Sequence, residues 1–305
     1  MSDPAMNPLP DVAPKAVSPW RDLWWRFCED RVALIAFGVV VLLVLMALFA
    51  PLISPQDPYD LSGLSLRDAR RPPGFVGSGG YTHILGTDAQ GRDLLSAILY
   101  GLRVSLQIGI TAGAVALVIG TSIGIAAAYA RGFVEAILMR IVDLQLSFPP
   151  ILLALVLVAL LGQGQAQLVT ALVAAQYAYF ARTAFGAASA ERSKDYVEAA
   201  AATPLSARRI VFRHILPNAM PALIVVATVQ IAYAIALEAT LSFLGLGLPV
   251  TEPSLGMLIS NGVKYMMSGR TWMSVYPGIM LIILIVAINM VGDHLRDILN
   301  PRLDK

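Results

Sequence analysis

Chemistry in this chain would have to come from very few side chains. His83, His214 and His294 are far apart, with no second ligand at metal spacing, so no metal centre is expected. Cys28 is the only cysteine, which excludes an internal disulfide and reads as a packing residue. No G-x-x-x-x-G-K-[ST] segment occurs, so the chain brings no phosphate loop, and no cofactor is expected. No apolar stretch holds a histidine matched with serine or aspartate, as an intramembrane hydrolase would need. What remains is Glu238, within LEATLSFLGLG at 237–247. An ionisable group inside an apolar helix points to transport chemistry and faces the bundle interior. Followed by Ser242 and Gly245, it marks a pathway or gate; the other reading is a carboxyl tied by hydrogen bonds to neighbouring helices.

A second constellation is polar rather than reactive. Residues 195–218, DYVEAAAATPLSARRIVFRHILPN, interrupt strongly apolar sequence. Tyr196 to Ala202 are mostly good helix formers, and Ala199 to Ala202 carry no bulky side chain. Thr203 offers an N-cap oxygen, and Pro204 suits a first helical position, where its missing N–H costs nothing. A second short helix over 205–215 is expected to stop before Pro217. Arg209 and Arg213 stand at i, i+4 on one helix face, with Arg208 beside them. They offer cations to an acidic partner, or they are ordinary cytoplasmic positive charge. Two short helices with a sharp break predict a surface shaped for something outside the apolar layer.

The elements that must position these groups are membrane elements. Of 305 residues, 57% are hydrophobic and 14% charged, well below the quarter usual in soluble domains. The net charge of +2 gives no reason to expect a nucleic-acid partner. Uncharged runs cover 32–56, 104–130, 144–181, 214–237 and 271–292, each long enough to cross about 30 Å of hydrocarbon. The third run holds 38 residues, too many for one span, and GQGQAQ at 162–167 divides it. Past Glu238 the fourth continues to about Leu248. Six spans result. Gly245, Gly247 and Pro249 predict a broken helix end, and Gly109, Gly113, Gly120 and Gly124 supply close-packing positions.

Residues 1–19, rich in proline, read as a disordered tail rather than a signal peptide. Trp20, Trp24 and Trp25 among Arg21, Arg26 and Arg31 predict an interfacial elbow leading into the first span, the two together covering 20–53. The 54–103 loop is Pro- and Gly-rich early, then ordered, with Asp88 as a candidate cap and Asp/Arg pairs that are either structural or substrate contacts. Asp143 beside Arg140 predicts an anchor pair. With the N-terminus inside, the inner loops carry 15 Lys and Arg against 7 outside. That excess favours an N-in, C-in topology, with 195–218 in the cytoplasm, 104–292 as the membrane core and 293–305 as a cytoplasmic tail.

Five stretches together resemble the permease subunits of bacterial ABC importers, and within them the C-type permease of the dipeptide/oligopeptide (peptide/nickel) group. They are LGTDAQGRDLLSAILYGLRVSL at 85–106, MRIVDLQLSFPPILLALVLVALLG at 139–162, residues 195–218, LEATLSFLGLGLP at 237–249 and GDHLRDILNPRL at 292–303. The resemblance implies an all-α fold of six transmembrane helices. A cytoplasmic coupling-helix segment lies between spans 4 and 5, and an extracytoplasmic insertion between spans 1 and 2. It implies a bacterial inner-membrane location, a second homologous permease, two cytoplasmic ABC ATPase subunits and an extracytoplasmic substrate-binding protein. It assigns Glu198, Ala199, Ala200, Ile210, Leu216 and Pro217 to ATPase coupling, joined by Thr203, Pro204 and the three arginines. ATP would then be hydrolysed on another chain, as the missing phosphate loop requires. Relatives in this group carry dipeptides, longer peptides, glutathione or nickel complexes.

Two positions depart from the pattern: Pro204 stands where the family has Gly, and Leu255-Gly256 where it has Trp-Gly. The first leaves the break's angle open, the second the contacts to a binding protein. The competing reading is a self-contained secondary transporter of small solutes, which needs several intramembrane acids or unwound spans, whereas only Glu238 lies deep. A scaffold role would leave 195–218 unexplained.

Overall fold

Polar residues at helix ends, and prolines between them, punctuate a chain that is otherwise almost continuous helix. The computed structural model describes residues 19–60, 64–249 and 251–299; the tail expected over 1–19 lies, apart from Pro19, outside them. Helix α1 (Pro19–Glu29) ends where Asp30 caps α2 (Arg31–Leu48), its carboxylate accepting the Val32 N–H at 2.7 Å. Trp24 stays exposed and stacks on buried Phe27 with ring centroids 6.0 Å apart. A short α3 (Ala50–Ile53) leads into an irregular segment whose only strands, among the described residues, are β1 (Phe75–Val76) and β2 (Thr82–His83). They pair antiparallel, Phe75 opposite His83.

Helix α4 (Leu94–Ala130) corrects the sequence reading at its start. Its cap is Asp93, which accepts the Ser96 N–H and hydroxyl at 2.8 Å, and not Asp88. The Asp88 carboxylate is already occupied: it accepts the Arg92 N–H at 2.9 Å and the Arg92 guanidinium at 2.7 Å. Residues 94–103, placed in the loop by the charge of Arg103, are therefore helical. A charge ends an uncharged run without ending a helix.

The run 144–161 also breaks where no break was expected. Helices α5 (Gly132–Leu146) and α6 (Pro150–Leu161) meet at 90°, because Pro149-Pro150 removes two backbone donors and bars the residue ahead from the helical region. The expected division follows at Gly162 and Gly164, both with positive φ, before α7 (Gln165–Arg192). Asp143 pairs with Arg182 of α7 at 3.3 Å rather than with Arg140.

The remaining elements are α8 (Asp195–Ala201), α9 (Ala207–Ile210), α10 (Leu216–Phe243), α11 (Leu255–Val263) and α12 (Trp272–Leu299). The most extensive contact is α4 against α7. Gly120 and Gly124 allow it: a Cβ on either would collide with the backbone of Tyr177 or Ala181. Ile98, Leu102, Ile235 and Leu284 join α4, α10 and α12 in one core. Among the described residues four helices are long and apolar enough to cross a membrane: Arg31–Leu48, Leu94–Ala130, Ala207–Phe243 and Trp272–Leu299. The bent α5–α6 pair makes a fifth candidate. The protein is a mostly helical membrane protein.

Candidate functional site

The segment 195–218 is seated by what lies just before it. At the end of α7, Arg192 donates to the Ala128 carbonyl at 2.7 Å and to that of Tyr129, closing the C-terminus of α4. Its guanidinium lies 4.8 Å from the Tyr129 ring centroid. Glu191 then takes Lys194 at 2.6 Å on one oxygen and the Tyr196 hydroxyl on the other. Asn218, at the start of α10, donates to the Tyr196 hydroxyl at 2.9 Å and to the His214 carbonyl at 2.7 Å. Burial first, then the hydrogen bond to Glu191 and its charge, raise the Tyr196 pKa, which keeps the phenol a donor. Val197 and Ile210, both 3% exposed, sit in a core with Ala184, Ala188 and Ile215. Glu191 and Arg192, which precede the segment, were not singled out from sequence, and Tyr196 and Asn218 were included only as part of 195–218. Charged residues before a helix break were the available signal.

The break itself differs from the sequence reading. Thr203 does not cap a following helix; its hydroxyl donates back to the Ala200 carbonyl at 2.7 Å and closes α8. Pro204 lies in the turn. The cap of α9 is Ser206, accepting from the Arg209 N–H. Nor does the second helix stop before Pro217. A single π-helical turn over Val211–Ile215 carries it into α10, giving one helix from Ala207 to Phe243. Pro217, which lacks an N–H, stands just after that π turn, at the second residue of α10.

Glu198, Ala199, Ala202, Thr203, Pro204, Arg208, Arg209, Phe212, Arg213 and Pro217 are exposed, while Ala200 and Leu216 are half-buried. Ile210 supports the segment from within. Among the described residues, Arg208, Arg209 and Arg213 make no ion pair; Arg208 lies 5.9 Å from the Phe212 ring centroid. Ser206, Arg208, Arg209 and Phe212 line a shallow groove of about 400 Å³. The structure thus gathers an exposed patch of small and basic side chains on a rigid base.

The second predicted site is fully enclosed. Glu238 is 0% exposed and accepts the Ser105 hydroxyl at 2.9 Å and the Ser242 hydroxyl at 2.7 Å. It ties α10 to α4, each carboxylate oxygen accepting a serine hydroxyl. Gly245 is not part of this cluster. With φ +80 it stops α10: the Leu246 N–H reaches the Leu241 carbonyl, and its own N–H that of Ser242. Its carbonyl accepts from Gln163 at 2.8 Å, fastening the α6–α7 loop to the end of α10. His83, isolated in sequence, is buried against Asp93 at 2.9 Å, and no cluster of three metal-ligating side chains occurs among the described residues.

Comparison with known proteins adds the following. Residues 120–305 match the family described as "Binding-protein-dependent transport system inner membrane component", and residues 18–73 the "N-terminal TM domain of oligopeptide transport permease C". A Brucella abortus protein provisionally named a peptide transport system permease is 39% identical over 99% of this chain and 98% of its own. The di/tripeptide transport system permease protein DppC of Pseudomonas aeruginosa is 35% identical, over 98% of each chain. The glutathione transport system permease protein GsiD of Pectobacterium atrosepticum is also 35% identical, over 97% of this chain and 95% of its own. Among solved structures, the MetNI methionine ABC transporter in an inward-facing form superposes with a TM-score of 0.56 at 21% identity, covering 68% of this chain and 98% of that one. At that identity the likeness speaks for the fold.

Proposed function

Because the chain belongs to the family of binding-protein-dependent transport system inner membrane components, we propose how this member is assembled, what it carries and how it is driven. It is a multi-pass inner-membrane permease of an ABC importer, a transport protein rather than an enzyme. In our reading α2, the bent α5–α6 pair, α4, α7, α10 and α12 are six spans, with both termini cytoplasmic. Segment 54–93 then lies outside and 195–218 inside. A second homologous permease completes the pathway, an extracytoplasmic binding protein delivers cargo, and two ATPase subunits dock beneath. The names of the relatives support peptides as the cargo.

The observation that carries the coupling assignment is the contrast across α8. Val197 is locked into the core while Glu198, Ala199 and Ala202 face outward beside exposed arginines. A lever needs such a division, with one face joined to the spans and one offered to the motor. The helix from Ala207 to Phe243 is continuous, so displacement of 198–213 by closing ATPases is delivered directly to the span bearing Glu238.

Two exposed changes test this in the assembled importer, Glu198→Ala and Ala199→Trp. Ala199 is preferred to half-buried Ala200, where added bulk would also strain the permease itself. Each should reduce ATP-driven uptake at least tenfold while permease abundance in the membrane stays unchanged. Normal uptake by both would sink the assignment. Pro204→Gly, which restores the family residue, should keep uptake.

A further inference from the structure

A polar cavity of about 480 Å³ opens at the end of the bundle opposite 195–218. It is bounded by Tyr59 after α3, Tyr100, Arg103 and Gln107 on α4, Gln165 opening α7, and Thr251-Glu252 before α11. Four separate segments converge on it, and its volume falls within the range usual for small-ligand sites, about 300–1,000 Å³.

Its charges are unspent. Elsewhere in this half of the molecule the buried acids and bases are matched, Arg92 with Asp88 and His83 with Asp93, whereas Arg103 is exposed and Glu252 half-buried at the rim of this cavity. Arg103 and Glu252 form no ion pair with any described residue, and the side chains of Gln107, Gln165 and Thr251 make no hydrogen bond to one. The two tyrosines meet edge to face, centroids 5.5 Å apart, forming an aromatic wall. Burial, and next the charge of Glu252, raise the Tyr59 pKa, so its hydroxyl remains a donor.

We propose that this cavity is a subsite for the backbone and termini of a short zwitterionic peptide, with Arg103 facing the C-terminal carboxylate and Glu252 the N-terminal ammonium. The proposal rests on the reading above that peptides are the cargo and that this end of the bundle faces outward. A guanidinium matches a carboxylate with two parallel donors, and a carboxylate accepts from an ammonium. Gln107 and Gln165 each supply both a donor and an acceptor, as a peptide group requires, irrespective of its side chains. The permease would thereby check that the arriving solute is a free peptide, independently of residue identity.

The test uses the complete importer in proteoliposomes, with dialanine as probe beside its C-amidated and N-acetylated forms. Arg103→Gln should lower dialanine uptake about tenfold and leave uptake of the amide unchanged. Glu252→Gln should do the same for dialanine and spare the N-acetyl form. Arg103→Lys should recover part of the loss. If both variants carry dialanine as well as wild type does, the subsite is overturned while peptide transport stands. If all three probes fall together, along with recovery of the assembled complex, the residues are subunit contacts and the proposal fails. Should R103Q not assemble, E252Q decides alone. A wild-type importer that moves no dialanine but moves another solute class would instead overturn the peptide reading, and the subsite with it.

Discussion

Segments 54–93 and 195–218, outer and inner in the proposed topology, are alike in composition: polar, proline-broken connectors between apolar helices. They differ in whether charges are buried: 54–93 holds matched buried charges beside its exposed Arg67, Arg70 and Arg71, whereas every acid and arginine of 195–218 is exposed. In the outer segment the Asp68 carboxylate takes both the N–H and the hydroxyl of Ser78, Asp88 takes Arg92, and Asp93 takes His83. In the inner segment such pairing is confined to the base, where Tyr196 and Asn218 join Glu191 and Lys194 just ahead of it, while Glu198, Arg208, Arg209 and Arg213 stay exposed. A buried polar group costs free energy unless matched, so matching inside the chain marks a finished structure. A packed base with an exposed, charged outer face is what the proposed docking role requires.

The contrast breaks most readily at Asp88. Arg92 is 1% exposed, and Asp88→Ala would leave its charge buried and alone, at a cost of about 3–5 kcal/mol. Folded yield in detergent should collapse, whereas Arg209→Ala on the inner face should stay within about 0.5 kcal/mol of wild type. A D88A protein that melts like its parent would show the outer segment to be no more self-contained than the inner one. A smaller effect is expected at Val197, 3% exposed beneath the proposed coupling surface. Val197→Ala should cost about 2 kcal/mol and speed amide exchange over 195–218 more than over 54–93. Equal change in both would mean that the base of α8 is not a separate unit.

Local rules in the sequence located much of this. The glycines at 162 and 164, a break at 203–204 and the small residues facing α7 were all legible. What failed were choices between neighbours. Thr203 and Ser206 are both hydroxyl residues three positions apart, and the sequence does not say that Thr203 serves the helix behind it and Ser206 the helix ahead. Asp88 and Asp93 presented the same choice, settled by Arg92. Pro149-Pro150 was visible, but hydropathy averaged over a window hides a bend. The Ser105–Glu238 bond joins residues 133 positions apart, and only the packing of α10 on α4 reveals it. Arg103 was counted as a loop charge, and its place in a polar cavity depends on α7 and on residues 251–252 arriving beside it.

The smallest expected effect is also the most specific to the outer segment. The hydroxyl of Ser78, then its backbone N–H, donate to Asp68 and outweigh burial, holding its pKa below the ordinary carboxylate value. Folding therefore favours the ionised form. That contribution is fully present above about pH 4, near the unfolded value, and is lost as pH falls through the lower folded value. Asp68→Asn should accordingly melt below wild type at pH 6, and the gap should close on acidification below about pH 4. Ser78→Ala should show the same closing gap, because it removes the donor that lowers the pKa. A gap that stays constant, or widens in acid, would mean that Asp68 acts through shape alone. The outer segment would then owe its stability to packing rather than to matched charge.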